Sequence, residues 1–170
     1  MKSKNRGFTI VELLIVIIVI AVLAGISIVA YNGVQKRTND TERQTDMNSV
    51  GKKLAEFRIL NGHYPRHDDM VNNNLIWIHS NLPGLSDDSL VAPGGVDANS
   101  FSGPTSPALN VYSYRAYFDD DGGIQRFCSQ TNLNNTGYGN RTVNDCNRYE
   151  LRWRSEVDDS IKIIKSRYGW

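Results

Sequence analysis

Glu12 is the residue least suited to its neighbours. From Leu13 to Ala30 the chain carries no charge, and only Gly25 and Ser27 interrupt the Leu, Ile, Val and Ala. A carboxylate deep in a bilayer costs on the order of 2.5–3.5 kcal/mol on insertion scales, and less near the interface. Glu12 therefore calls for a partner charge, or else for a side chain that snorkels to the headgroups. Cys128 and Cys146 form a second candidate pair. In an exported chain they are expected to close one disulfide near the C-terminus, and they lack the second close pair that a structural metal site needs. Asp119-Asp120-Asp121-Gly122-Gly123 puts three carboxylates side by side, the chemistry of a calcium ligand set. It lacks the longer loop with a distal glutamate, so a solvated hairpin tip is expected. His63 and His67 stand four apart, but Pro65 between them breaks the helix that metal ligation at that spacing requires. They read as free surface histidines, and His79 has no companion. No nucleophile motif, phosphate loop or metal-ligand cluster is present, so neither enzymatic activity nor a cofactor or metal is expected.

The elements that must hold these residues differ sharply in composition. The 170 residues suffice for one globular domain with an extra segment, and a net charge of +1 gives no reason to expect nucleic acid. Ahead of the apolar run stand Lys2, Lys4 and Arg6, which favour a cytoplasmic N-terminus. Lys36 and Arg37 behind the run weaken that asymmetry without reversing it. As helix the run covers roughly 27 Å, and with its flanks it spans a hydrocarbon core of about 30 Å. Three readings follow. The run is a plain signal anchor, or a secretory signal cut after Val22-Leu23-Ala24, or a helix retained for association through Glu12.

Gly7-Phe8-Thr9-Ile10-Val11-Glu12-Leu13-Leu14 resembles the processing site of type IV prepilins and pseudopilins. The resemblance implies that a leader, residues 1–7, is removed by a membrane-embedded prepilin peptidase between Gly7 and Phe8. Phe8 then becomes the N-methylated terminus, and Glu12 pairs with the free amine of a neighbouring subunit. Cleavage there also creates a positive amine near Glu12 in sequence, and a buried charge with a partner costs far less than one without. Many members of the family carry a proline inside the apolar half, where the helix can melt during assembly. This chain has none between Phe8 and Tyr31, which leaves Gly25 and Ser27 as the places for a break.

Residues 8–35 are read as the transmembrane and filament-core helix, and 36–170 as the globular domain with the second half of that helix. Lys36 to Asp46 is almost free of apolar residues. Met47, Val50, Leu54 and Phe57 then return at helical steps. Gly33 and Gly51 each weaken a helix by about 1 kcal/mol relative to Ala. Asn61-Gly62 stops it and Tyr64-Pro65 does not continue it, a segment similar to the one that closes the long helix in many pilins and major pseudopilins.

Arg66 to Pro107 is rich in turn residues and reads as an extended loop region, with a short helix at Leu75–Asn81 or Ser86–Ala92. Val111 to Tyr117 alternates as a strand with Tyr112, Tyr114 and Ala116 on one face, and Ile124 to Cys128 returns as its hairpin partner. Tyr149, Leu151 and Trp153 mark another strand, and Ser160 to Lys165 fits a strand or a helix. The fold expected is α+β: a long N-terminal helix, membrane-embedded first and amphipathic later, packed on a small C-terminal antiparallel sheet. The arginines and lysines from Arg141 to Arg167, interleaved with aromatics, suggest a DNA-binding surface. The acids among them favour a solvated outer sheet face instead.

The reading is a structural subunit of a type IV pilus or pilus-like filament. Its partners are other copies or other pilins, prepilin peptidase, the pilus assembly machinery and membrane lipid before assembly. It is expected to pass once through the cytoplasmic membrane and to end in an extracytoplasmic or cell-surface filament. The runner-up is a pseudopilin of a type II secretion or DNA-uptake machine, and from another class a signal-anchored extracytoplasmic binding domain. The Cys128–Cys146 spacing is similar to the disulfide-bounded region of type IV pilins.

Overall fold

An unbroken apolar run cannot alternate as a half-buried strand, and Met47, Val50, Leu54 and Phe57 continue with a helical period. Both stretches lie in one helix in the computed structural model, which describes residues 8–71, 75–96 and 101–166. This helix, α1 (Ile10–Asn61), ends at Gly62. Gly62 takes a φ of +80° and donates its N–H to the Arg58 carbonyl at 2.8 Å, the left-handed cap that glycine adopts without a Cβ penalty. The chain divides into two units between Thr38 and Asn39.

In the first unit α1 is apolar all round. The large apolar side chains named from Ile10 to Val34 are each at least 50% exposed. By length and composition this helix can cross a membrane. The helix satisfies its own polar groups: Ser27 Oγ donates to the Leu23 carbonyl at 2.8 Å, so the serine opens no gap in the ladder.

In the second unit α1 packs on a five-stranded sheet. The strands are β1 (Phe101–Ser102), β2 (Tyr112–Asp119), β3 (Gln125–Phe127), β4 (Arg148–Arg154) and β5 (Ile161–Lys165), in the order β1-β2-β4-β5 with β3 paired to β2. The sheet is antiparallel except at β1, which runs parallel to β2 and makes the whole mixed. Of the two readings of Ser160–Lys165, strand prevails, because pairing with β4 outweighs the local helical spacing. Tyr112, Tyr114, Ala116 and Phe118 from β2 and Tyr149, Leu151 and Trp153 from β4 are buried with Met47, Val50, Leu54 and Phe57 of α1. Gly51 allows the close approach: a Cβ there would lie 3.3 Å from the Tyr149 hydroxyl and 3.8 Å from Leu151 Cδ1.

Two expectations need correction. The short helix expected at Leu75–Asn81 is present, but the rest of the stretch from Arg66 to Pro107 is not one extended loop. The stretch holds α2 (His67–Met70), α3 (Leu75–Asn81), a 3-10 turn at Asp87–Leu90, and β1. Met70, Ile78, Leu82, Leu90 and Phe101 from it are core residues, and their burial offsets the turn-rich composition. The outer sheet face is not simply solvated, since Ser113, Tyr117 and Glu150 on it are buried. In the polar part of α1, Arg43 is fully buried and Asp46 is nearly so.

Candidate functional site

The N-terminal segment and the start of α1 carry the site. Gly7, with Lys2, Lys4 and Arg6, lies outside the described residues. Phe8 is 83% exposed ahead of the helix. Thr9 and Glu12 form a reciprocal cap: Glu12 Oε2 accepts from Thr9 N and Thr9 Oγ1, both at 2.8 Å, and Thr9 Oγ1 accepts from Glu12 N at 3.2 Å. This is the capping box that Thr-x-x-Glu spells, which satisfies helix N–H groups that have no partner within the turn. The pairing occupies one carboxylate oxygen. Oε1 accepts no hydrogen bond among the described residues, and an ionised carboxylate has about four lone-pair positions, so the cap leaves room for an amine. Sequence reasoning singled out Glu12 for its charge and missed Thr9.

In the second unit a polar network ties α1 to the turn between β4 and β5. Arg43 donates to Glu156 Oε1 at 2.6 Å, to Asp40 Oδ1 at 3.1 Å and to the Leu109 carbonyl at 3.1 Å. Asp40 in turn accepts from Ser155 Oγ at 2.6 Å and from the backbone N–H of Glu156 at 2.8 Å. Burial alone would raise the Asp40 carboxyl. The hydrogen bonds from Ser155, Glu156 and Val157 and the Arg43 charge together hold it below its ordinary value. Glu156 is lowered likewise, its burial outweighed by Arg43 and Asn39.

Cys128 and Cys146 are bridged, with Cα atoms 5.6 Å apart and both side chains fully buried. Their carbonyls also hold the exit of α1: Tyr64 donates its N–H to Cys146 at 2.8 Å and His67 to Cys128 at 2.7 Å. Around this loop a cleft of about 490 Å³ opens between Phe57, Trp77, Arg66 and Gln130. Its polar groups are engaged with one another, Arg66 with Asp69 and Gln130, and Gln130 with Asn134.

The remaining candidates are dispersed. His63 and His67 are half-buried, not free at the surface. Their Nδ1 atoms meet the carbonyls of Tyr64 at 2.9 Å and Tyr114 at 2.8 Å. Burial lowers the His67 pKa, and the ring occupies the space where a Cβ on Gly103 would stand. His79 meets Asp87 at 2.9 Å. The three aspartates of the hairpin do not converge: Asp119 pairs with Arg148, Asp120 with Arg126 and Asp121 with Arg141. Asp120 also accepts from the Ile124 and Gly122 N–H groups, which hold its pKa down. In the basic stretch each described cation faces an acid: Arg141 faces Asp121, Arg152 and Lys165 share Glu150, Arg154 faces Asp159 and Lys162 faces Asp158. Arg167, Tyr168 and Trp170 lie outside the described residues.

The family described as Prokaryotic N-terminal methylation motif matches residues 2–28, which take in Phe8, the Thr9–Glu12 cap and most of the apolar run. The chain carries a prepilin-type N-terminus. Type II secretion system core protein G of Escherichia coli is 31% identical over 63 residues, 37% of this chain and 43% of that protein. Type IV wide pilus major component PilA4 of Thermus thermophilus is 41% identical over 59 residues, 35% of this chain and 45% of that protein. The chain thus matches less than half the length of each relative. No solved structure is a significant match.

Proposed function

We propose that the chain is a structural subunit of a type IV pilus or pilus-like filament. The observation that carries the reading is the prepilin-type segment set directly on an exposed, uninterrupted apolar helix. Residues 1–7 are the leader, cut between Gly7 and Phe8 by prepilin peptidase, and Phe8 is then N-methylated. Before assembly the helix of residues 8–35 lies in the cytoplasmic membrane, with its N-terminus on the cytoplasmic side and the globular domain outside. The assembly machinery then moves the helix from lipid into a core of like helices. There Glu12, with Oε1 unspent, accepts the terminal amine of a neighbouring copy. Pairing offsets the desolvation of both charges in an apolar core.

Mass spectrometry of the mature chain tests the processing, with methylated Phe8 as the expected terminus. A terminus at Gly25 or an intact Met1 would overturn it. Glu12→Ala is expected to leave cleavage intact and to abolish filaments that contain only the variant chain. Normal filaments of that variant would overturn the charge pairing.

A pseudopilin of a secretion machine is the second reading, favoured by the likeness to the Escherichia coli secretion protein. Immunogold imaging separates the two, because a pilus subunit labels along surface filaments.

A further inference from the structure

β2 alternates between two environments. Tyr112, Tyr114, Ala116 and Phe118 belong to the core shared with α1, so Ser113, Arg115 and Tyr117 face the other side of the sheet. Across the strands Ser113 stands opposite Arg152, Arg115 opposite Glu150, and Glu150 opposite Lys165. The outer face therefore gathers Arg115, Arg152 and Lys165 about one carboxylate. Glu150 already serves three donors: the Tyr117 hydroxyl at 3.0 Å, Arg152, and Lys165 Nζ at 3.4 Å. Arg115 is left over. Its guanidinium lies 4.2 Å from the Phe127 ring centroid and 5.7 Å from that of Tyr117, and its buried Nε meets no acceptor among the described residues. The rings fix the plane of the guanidinium but cannot satisfy its donors. Two residues along the same face, Ser113 Oγ is fully buried and also without a partner.

The helix side of the same unit has the opposite excess. Tyr112 donates its hydroxyl to Asp46 at 2.6 Å. Asp46 is raised above its ordinary value by burial and then by the charges of Glu42 and Asp88, so these three acids are neighbours. Glu42 lies one turn before Asp46 on α1, and Asp88 lies in the 3-10 turn; both are exposed. Neither forms an ion pair among the described residues.

We infer that the outer sheet face, centred on Arg115, receives the Glu42–Asp88 acidic edge of a second copy of this chain. Arg115 donates to the incoming carboxylates, while Arg152 and Lys165 supply the surrounding positive field. The two patches are different surfaces of one chain, so the contact is heterologous and repeats in one direction, which builds an open filament and not a closed pair. The inference rests on the polymer reading above and assigns one of its contacts.

Carbodiimide cross-linking of assembled wild-type chains tests it first. Peptides joining Lys165 to Glu42 or Asp88 are expected in the polymer and not in detergent-dispersed chains. Only links from Lys165 to Glu150 would overturn the contact. Charge reversal tests it second. Arg115→Glu, and separately Glu42→Lys with Asp88→Lys, are each expected to cut surface filaments by about tenfold or more, and their combination to restore them. The uncharged Arg115→Gln guards against misfolding, and its filaments are expected to come apart at lower salt than the wild type. Wild-type filaments indifferent to all these changes, or losses that the combination does not recover, overturn the contact alone. A wild-type chain that never enters a polymer overturns the polymer reading and the contact with it.

Discussion

Arg43 Nη2 lies 2.6 Å from Glu156 Oε1, which joins α1 to the turn between β4 and β5 across 113 residues of sequence. The guanidinium is fully buried while Glu156 and Asp40 remain 18% exposed, so the cation bears most of the desolvation. Removing one partner of a buried pair leaves the other without compensation. Arg43→Met is expected to lower the stability of the second unit by about 3–5 kcal/mol, measured by thermal unfolding of the full chain in detergent. Glu156→Gln is expected to cost less, because Arg43 keeps Asp40 and the Leu109 carbonyl.

The same network sets an acid limit. Asp40 and Glu156 are both held below their ordinary values of 3.8 and 4.5. A carboxyl depressed in the folded state stabilises it fully above the unfolded pKa, and that stability is lost as the pH falls through the lower folded value. The midpoint of unfolding is therefore expected to change little between pH 7 and about pH 5 and to drop below about pH 4.5. The gap between wild type and Arg43→Met narrows over the same interval. A gap that stays constant down to pH 2 would show that the pairs do not stabilise the fold through charge.

Cys128–Cys146 closes a separation of 18 residues and holds Tyr64 and His67 through its two carbonyls. The loop-entropy account gives about 3 kcal/mol for a loop of this length. Cys128→Ser with Cys146→Ser is expected to lower the stability by about that amount in denaturant unfolding of the full chain. Amide exchange is expected to quicken first at Tyr64 and His67, whose N–H groups the bridge holds in place.

Gly51 reverses what helix propensity alone would suggest. Alanine would favour the helix by about 1 kcal/mol, yet the new Cβ would stand 3.3 Å from Tyr149 Oη. Gly51→Leu drives a whole side chain between α1 and β4 and is expected to cost about 1–3 kcal/mol as an overpacked core. Gly33, with nothing within 4 Å of its Cβ position, is the control: Gly33→Ala meets no steric obstacle. Unfolding midpoints of the two variants decide whether close packing explains the glycine.

Local pattern revealed what local chemistry controls. The spacing of Met47, Val50, Leu54 and Phe57 located the buried face of α1, and the alternation of Tyr112, Tyr114 and Ala116 located that of β2. Asn61-Gly62 located the helix end. What stayed hidden depends on distant partners. Nothing in the local pattern marks Arg43 as buried, because its counter-charge Glu156 lies 113 residues away. His67 reads as a surface residue until the Tyr114 carbonyl and Gly103 enclose it. The short helix at Leu75–Asn81 is legible, whereas α2, with four residues, is too short for a period to show, and β1 has only two residues. Thr9 was legible in the Thr-x-x-Glu spacing, but the charge of Glu12 drew attention from its neighbour.

Thr9 now separates two roles of Glu12. If Glu12 served only to cap α1, Thr9→Ala, which removes both bonds of Thr9 Oγ1 and leaves only the residue 9 N–H on Glu12 Oε2, would impair assembly much as Glu12→Ala does. An N-cap of this kind is worth about 1 kcal/mol, a loss that a long apolar helix held in lipid or in a helix core absorbs. The charge of Glu12 has no such substitute once water is gone. Thr9→Ala is therefore expected to form filaments at near wild-type yield, Glu12→Ala to form none, and Glu12→Gln, which keeps an acceptor for Thr9 but no charge, to behave like Glu12→Ala. Filament yield per processed chain, by shearing and immunoblot, makes the comparison. Equal defects in Thr9→Ala and Glu12→Ala with normal assembly of Glu12→Gln would assign the carboxylate to the cap and not to a neighbour.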